Sequence, residues 1–206
     1  LLWFQVEPQS GEFDFREADR TIQAAVDRGI GLLATLGCPP PWAGVRPDVT
    51  GPNGKLFEDN PNCCVPRSLD EWRRYVRTCA SRYRGKIRHW EIWNEVDWMP
   101  PGRAASFNGT VADYFSLLKA ASEEIRAVDP SNKVVVSGFG TGVAATEKVS
   151  ERLCEMGATD LVDIWNMHAY KIREKAAEYR DVPRRFNPGL PVWQTEFMWH
   201  VISDKD

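Results

Sequence analysis

The sequence predicts an α/β fold: a parallel sheet wrapped by helices, arranged as an incomplete (β/α)8 TIM barrel with strands 2 to 7 present and strands 1 and 8 missing. Two observations predict it. Short apolar, β-prone runs alternate strictly with amphipathic helical segments, six strands to five helices. Alternation alone also admits a doubly wound sheet. The second observation favours the barrel: polar and aromatic residues collect at the C-terminal ends of four strands, and the loops after those strands are the long ones.

In order along the chain, Leu1 to Glu7 is apolar and reads as a strand, followed by a turn-rich loop from Pro8 to Phe15. Glu17 to Arg28 places Ala18, Ile22, Ala25 and Val26 near helical spacing, with Gly29 as its stop. Ile30 to Leu36 reads as a buried parallel strand that ends where Pro39, Pro40 and Pro41 forbid regular structure. A long Pro/Gly/Asn/Asp-rich loop runs from Ala43 to Pro66. Ser68 and Glu71 have the spacing of a capping box for a helix to about Arg84, and Ile87 to Glu95 is the next strand. A helix from Val111 to about Val128 stops at Asp129-Pro130, and Lys133 to Ser137 is a Val-rich strand. A helix from about Ala144 to Met156, a strand from Val162 to Tyr170, a helix from Lys171 to Arg185 and a strand from Leu190 to Phe197 complete the pattern.

Composition narrows the function classes. The 206 residues are 43% hydrophobic and 27% charged, enough apolar content for a sizeable core. A net charge of -3 without a basic cluster argues against a nucleic-acid partner. No apolar run approaches the ~20 residues of a membrane helix. The five cysteines have neither a CxxC pair nor metal-type spacing, and at most two disulfides could form among them. Nine tryptophans, many near strand ends, suit flat aromatic platforms as well as core filling. The start at Leu1-Leu2-Trp3-Phe4 reads as mid-strand, so the chain is expected to be a piece of a longer protein whose compartment is unknown. Asn108-Gly109-Thr110 is a glycosylation sequon that matters only on secretion.

Chemistry concentrates in Arg88 to Glu95, a strand ending in Asn94-Glu95. Period-2 alternation puts His89, Glu91, Trp93 and Glu95 on one face, and Ile164, Asn166, His168 and Tyr170 on one face of their own strand. Val192, Gln194 and Glu196 share a face of the last strand. If those faces line the mouth of the barrel, Glu95 and Glu196 face each other across it, with His168 and Tyr170 beside them. Alternation points Asn94 away from Glu95, so the strand must twist or bulge there for both to serve one site. Two carboxylates on opposite walls of a pocket are what cleavage of a glycosidic bond requires, one protonated to donate to the leaving oxygen and one ionised to attack the anomeric carbon. Glu91 lies deeper and is expected to be structural, paired with a buried Arg or His. His89 and His200 are expected to be structural or solvent-facing. Trp90, Trp165 and Trp193, inside strands, are expected to pack. Trp42, Trp98 and Trp199 suit either packing or sugar stacking. Gly138-Phe139-Gly140-Thr141-Gly142 lacks the Lys-Ser/Thr ending of a phosphate loop, and close backbone approach accounts for it better. A metal-dependent hydrolase is disfavoured because no His-x-His pair or ligand cluster is present.

These residues carry a resemblance. Val6 to Phe15, Leu33 to Ala43, Trp90 to Glu95 and Trp193 to Phe197 resemble, in this order, segments of the catalytic barrel of clan A retaining glycoside hydrolases. The β-xylosidase and α-L-iduronidase family is the nearest in flavour, with cellulase-like and β-galactosidase-like families as relatives. The resemblance spans essentially residues 1–206 as one partial catalytic barrel. It implies that Glu95 is the acid/base and Glu196 the nucleophile, that Asn94 holds a sugar 2-hydroxyl, and that His168 and Tyr170 lie beside the nucleophile. It implies no metal or organic cofactor and a carbohydrate partner. A carbohydrate-binding pseudo-enzyme or a transglycosylase would keep the same residues.

Overall fold

The computed structural model describes residues 1–45, 63–97, 106–140, 146–170 and 173–198. Strands β1 (Leu33–Leu36), β2 (His89–Ile92) and β3 (Lys133–Val136) form one parallel sheet in that order. Strands β4 (Phe139–Gly140), β5 (Trp165–Tyr170) and β6 (Val192–Met198) form a second. Only Ser137 and Gly138 separate β3 from β4, and Val135 makes a parallel bridge to Ile164 just ahead of β5. Order in space therefore follows order in sequence from β1 to β6, with none of the reversal that marks a doubly wound sheet.

The helices follow the apolar periodicity. They are α2 (Arg16–Val26), α3 (Leu69–Arg82), α4 (Val111–Val128), α5 (Thr146–Glu155) and α7 (Arg173–Phe186), with a short unforeseen turn α6 (Ala158–Leu161). The Ser68 side chain caps α3 by accepting from the Glu71 amide at 3.2 Å. Thr110 and Asp113 make a reciprocal capping box at the start of α4, so the hydroxyl of the sequon serves as a helix cap. One core runs beneath these helices, with Trp72, Tyr75, Trp90, Tyr114, Leu118 and Trp165 all but fully buried. The five cysteines, all among the described residues, form no disulfide.

The strand expected at Leu1 to Glu7 is instead a helical turn, α1 (Trp3–Val6). The Leu1 amino group donates to the Thr35 carbonyl of β1 at 3.0 Å and the amides of Trp3 and Phe4 donate to the carbonyls of Gly37 and Cys38, so the first residues run beside the end of β1 before the chain turns into the helix. The buried Glu7 carboxylate closes the turn, accepting from the Trp3 indole at 2.6 Å and the Gly11 amide at 2.8 Å and pairing with Arg74. An apolar run of this length satisfies either period, and side-chain partners at i and i+4 decide for the helix.

Candidate active site

The end of β2 departs from the expected strand. Pairing stops at Ile92, and Trp93 and Glu95 both adopt left-handed backbone, at φ 69 and 47. The left-handed residue sends the Trp93 ring away from the face of Glu91 into the outer core. There it packs on Trp72 and Phe107 and donates to the Ser106 carbonyl at 2.9 Å. The chain then turns back. The Glu95 amide donates to the Gly138 carbonyl at 3.0 Å. The deviation that the sequence demanded at Asn94-Glu95 thus exists as a pair of left-handed residues rather than a bulge. Asn94 lies half-buried between them.

The bulge lies across the site, in β6. Met167 pairs with Gln194 but His168 pairs with Glu196, leaving Thr195 as the extra residue. This shift turns Thr195 toward β5, where its hydroxyl meets Asn166 Nδ2 at 2.7 Å and His168 Nε2 at 3.1 Å. Period-2 reasoning assigns Thr195 to the other face, because a bulge leaves no mark on alternation.

His168 is buried between the two glutamates. Its Nδ1 lies 3.0 Å from Glu95 Oε1 and 3.7 Å from Glu196 Oε2. A carboxylate oxygen of Glu95, one of Glu196 and a ring nitrogen of His168 all lie within 4.8 Å of one another, donors that a metal ion could also use. The side chain of Glu95 is 15% exposed and that of Glu196 47%, so one carboxyl is sheltered and the other open. Burial disfavours the charged imidazole. The hydrogen bond to Glu95 and the charges of Glu196, Glu95 and Glu91 outweigh it, leaving the His168 pKa above its ordinary value.

That direction sets a pH dependence. Folding binds the His168 proton more tightly than the unfolded chain does, so its stabilising contribution is complete below ~6.5 and fades as pH rises through the folded value. The urea midpoint of the wild type should therefore exceed that of His168→Gln by a margin that shrinks as pH rises above ~6.5. A margin that stays constant as pH rises would show that the fold does not raise the His168 pKa.

Glu91 lies beneath the site. Its Oε2 accepts from the Thr35 hydroxyl at 2.7 Å, and its Oε1 accepts from the Gly138 amide at 3.1 Å and from Asn166 Nδ2 at 2.6 Å. The expected direct pairing with Arg or His is replaced by neutral donors from β1, β5 and the β3–β4 break. Burial is the main cause that raises the Glu91 pKa, and these hydrogen bonds oppose it. Gly138 makes room for the assembly: a Cβ on it would lie 2.0 Å from His168 Nε2. The close backbone approach expected of the Gly-rich turn is found here.

The remaining expectations divide. Trp42 packs edge-on against Trp3 at 5.8 Å and donates to the Glu7 carbonyl at 3.3 Å, with no contact to the carboxylate pair among the described residues. Trp90 and Trp165 are buried as expected, but Trp193 is 36% exposed, against His89 with ring centroids 5.0 Å apart. It lies on β6, whose second edge is unpaired among the described residues, so packing covers it only in part. Tyr170 closes β5 opposite Met198. Trp98, Trp199 and His200 lie outside the described residues.

No family model matches the chain. By sequence, 122 residues are 29% identical to a β-xylosidase from Caldicellulosiruptor saccharolyticus, covering 56% of this chain and 24% of that protein. By fold, the chain is similar to a glucosidase from Croceicoccus marinus, with a TM-score of 0.66 and 16% identity over 96% of this chain and 41% of the other. It is also similar to a family 39 β-xylosidase from Caulobacter crescentus, with a TM-score of 0.63 and 24% identity over 94% of this chain and 43% of that one. The chain thus spans about a quarter of the curated relative and less than half of either structure. These fold neighbours are TIM-barrel glycoside hydrolases. The resemblance carried by the chain's own motifs, to clan A glycoside hydrolases of the β-xylosidase kind, is the likeness that sequence and fold both return.

Proposed function

We propose that residues 1–206 form one partial catalytic barrel that carries both carboxylates of a retaining O-glycoside hydrolase. In this reading β1, β2, the interrupted β3–β4 strand, β5 and β6 are strands 3 to 7 of a (β/α)8 barrel, and α1 stands where the second strand would end. Sequential pairing across both sheets and the fold neighbours support it.

One observation carries the chemistry: oxygens of Glu95 and Glu196 come within 4.8 Å of each other. Retaining enzymes hold their carboxyls ~5–5.5 Å apart, whereas inverting enzymes leave ~6.5–9.5 Å for a water. The open Glu196 carboxylate attacks the anomeric carbon while the sheltered Glu95 carboxylic acid gives its proton to the departing oxygen. The C–O bond to the aglycone breaks and a glycosyl ester forms on Glu196. Glu95, now a carboxylate, takes a proton from water. That water attacks the same carbon and frees Glu196. Two inversions give net retention. No cofactor enters the sequence of steps.

Asn94 is assigned to the sugar 2-hydroxyl, Tyr170 to Glu196, and Trp42, Trp98 and Trp199 to the substrate's apolar faces. The β-xylosidase relatives make aryl β-xylosides the first substrates to try. Proton NMR during hydrolysis by the full-length protein should show the β-anomer of the sugar released first, with mutarotation following. Initial release of the α-anomer would overturn the retaining assignment.

A further inference from the structure

Beneath the two site glutamates, a chain of side chains runs from Glu91 to His168 and uses nearly every polar atom in it. Thr195 N donates to Asn166 Oδ1 at 3.3 Å, which fixes the orientation of that amide. Its Nδ2 therefore supplies both remaining contacts, to Glu91 Oε1 at 2.6 Å and to Thr195 Oγ1 at 2.7 Å. The Thr195 oxygen accepts from Asn166, so its own proton is free to go to His168 Nε2, 3.1 Å away. An imidazole that accepts at Nε2 carries its ring proton on Nδ1, the nitrogen that faces Glu95 at 3.0 Å and Glu196 at 3.7 Å. Glu91 is buried and bonded to Thr35, Gly138 and Asn166.

We propose that Glu91 is a positioning residue of the glycosidase site, acting through Asn166 and Thr195 to fix the rotation and proton position of His168, so that Nδ1–H points at the Glu95–Glu196 pair. The inference rests on the reading of those glutamates as the reacting groups. Three carboxylates face the imidazole: Glu91 and Glu95 from β2 and its end, and Glu196 from β6. Among the described residues, Thr195 and the backbone of Gly138 are neutral groups against it. Glu91 thus acts on His168 twice, by hydrogen bonds through the relay and by charge through space. The two contributions are separable. Gln at position 91 keeps an acceptor for Asn166 and Gly138 but removes the charge, whereas Met removes both.

The test uses the full-length protein, with His168 assigned in histidine 15N spectra by its loss in His168→Gln. Neutral His168 in the wild type should carry its proton on Nδ1. Thr195→Val keeps the shape and deletes the hydroxyl. It should move that proton toward Nε2 and lower kcat/KM for an aryl xyloside by roughly tenfold or more. Glu91→Gln should keep the Nδ1–H form and hold kcat/KM within roughly tenfold of wild type, while His168 titrates at lower pH and the matching limb of the kcat/KM profile moves with it. Glu91→Met should lose on the order of a hundredfold. An Nε2–H tautomer in the wild type would overturn the proposal, and so would a Glu91→Gln protein whose His168 titration and pH limb stay in place. Both decisive spectra come from proteins that keep the buried hydrogen bonds, so a Glu91→Met protein that fails to fold does not remove the test. If the wild type hydrolyses no glycoside, the glycosidase reading falls, while the tautomer and its titration still judge the relay.

Discussion

Replacing Glu196 by alanine should lower turnover of an aryl xyloside on the order of 10⁴-fold or more, which is roughly 5.5 kcal/mol of transition-state stabilisation. Added azide should restore part of it as a glycosyl azide of inverted configuration. The proposed mechanism asks Glu196 to form a bond, and no neighbour can take over. Glu95 shelters its carboxyl, and His168 Nδ1, committed to both glutamates, carries a proton rather than a lone pair toward the sugar. Removing the side chain leaves a small anion room on the face Glu196 occupied, and a single displacement there inverts the carbon. Activity near wild type in Glu196→Ala would sink the mechanism. Strong loss without the inverted azide product would take the nucleophile's role away from Glu196.

Alanine at Gly138 should be nearly as damaging, by a steric route. The added Cβ would sit 2.0 Å from His168 Nε2 and 2.4 Å from Cδ2. Either the imidazole leaves its contacts with Thr195 and Glu95, or the backbone retreats. Retreat breaks the Gly138 amide bond to Glu91 and the Glu95 amide bond to Gly138. Overpacking of this kind costs about 1–3 kcal/mol in stability, and a misplacement near 1 Å at a reacting group costs on the order of 10² in rate. Gly31 has nothing within 4 Å of its would-be Cβ, so Gly31→Ala is the matched control and should change stability by less than about 0.5 kcal/mol. Equal denaturation midpoints and equal kcat/KM for Gly138→Ala and wild type would show that the site does not depend on this approach.

The succession of elements and the meeting of Glu95 with Glu196 and His168 are legible in the sequence, because both rest on periodicity and on strand ends. Three features are not. The Leu1–Glu7 run satisfies the strand and helix periods equally, and the partners that choose α1, Gly37, Cys38 and Arg74, are far along the chain. The left-handed backbone at Trp93 is set by the outer core that receives its ring, and nothing in Trp-Asn-Glu announces it. Thr195 enters the site through a bulge, which adds a residue without altering composition. Glu91 was legible as a structural carboxylate, but its partners were not, since Thr35, Gly138 and Asn166 are ordinary strand residues until the sheets assemble.

The left-handed backbone at Glu95 also bears on what can replace the residue. A non-glycine residue in that region carries a conformational cost on the order of 1–3 kcal/mol, which glycine would not bear. Glycine at position 95 relieves that load at the same stroke that removes the sheltered carboxyl. Against that relief stands the hydrogen bond of the buried His168 Nδ1 to Glu95, which glycine would remove together with the carboxyl. The backbone of Glu95 thus carries a cost that is met by what its side chain does.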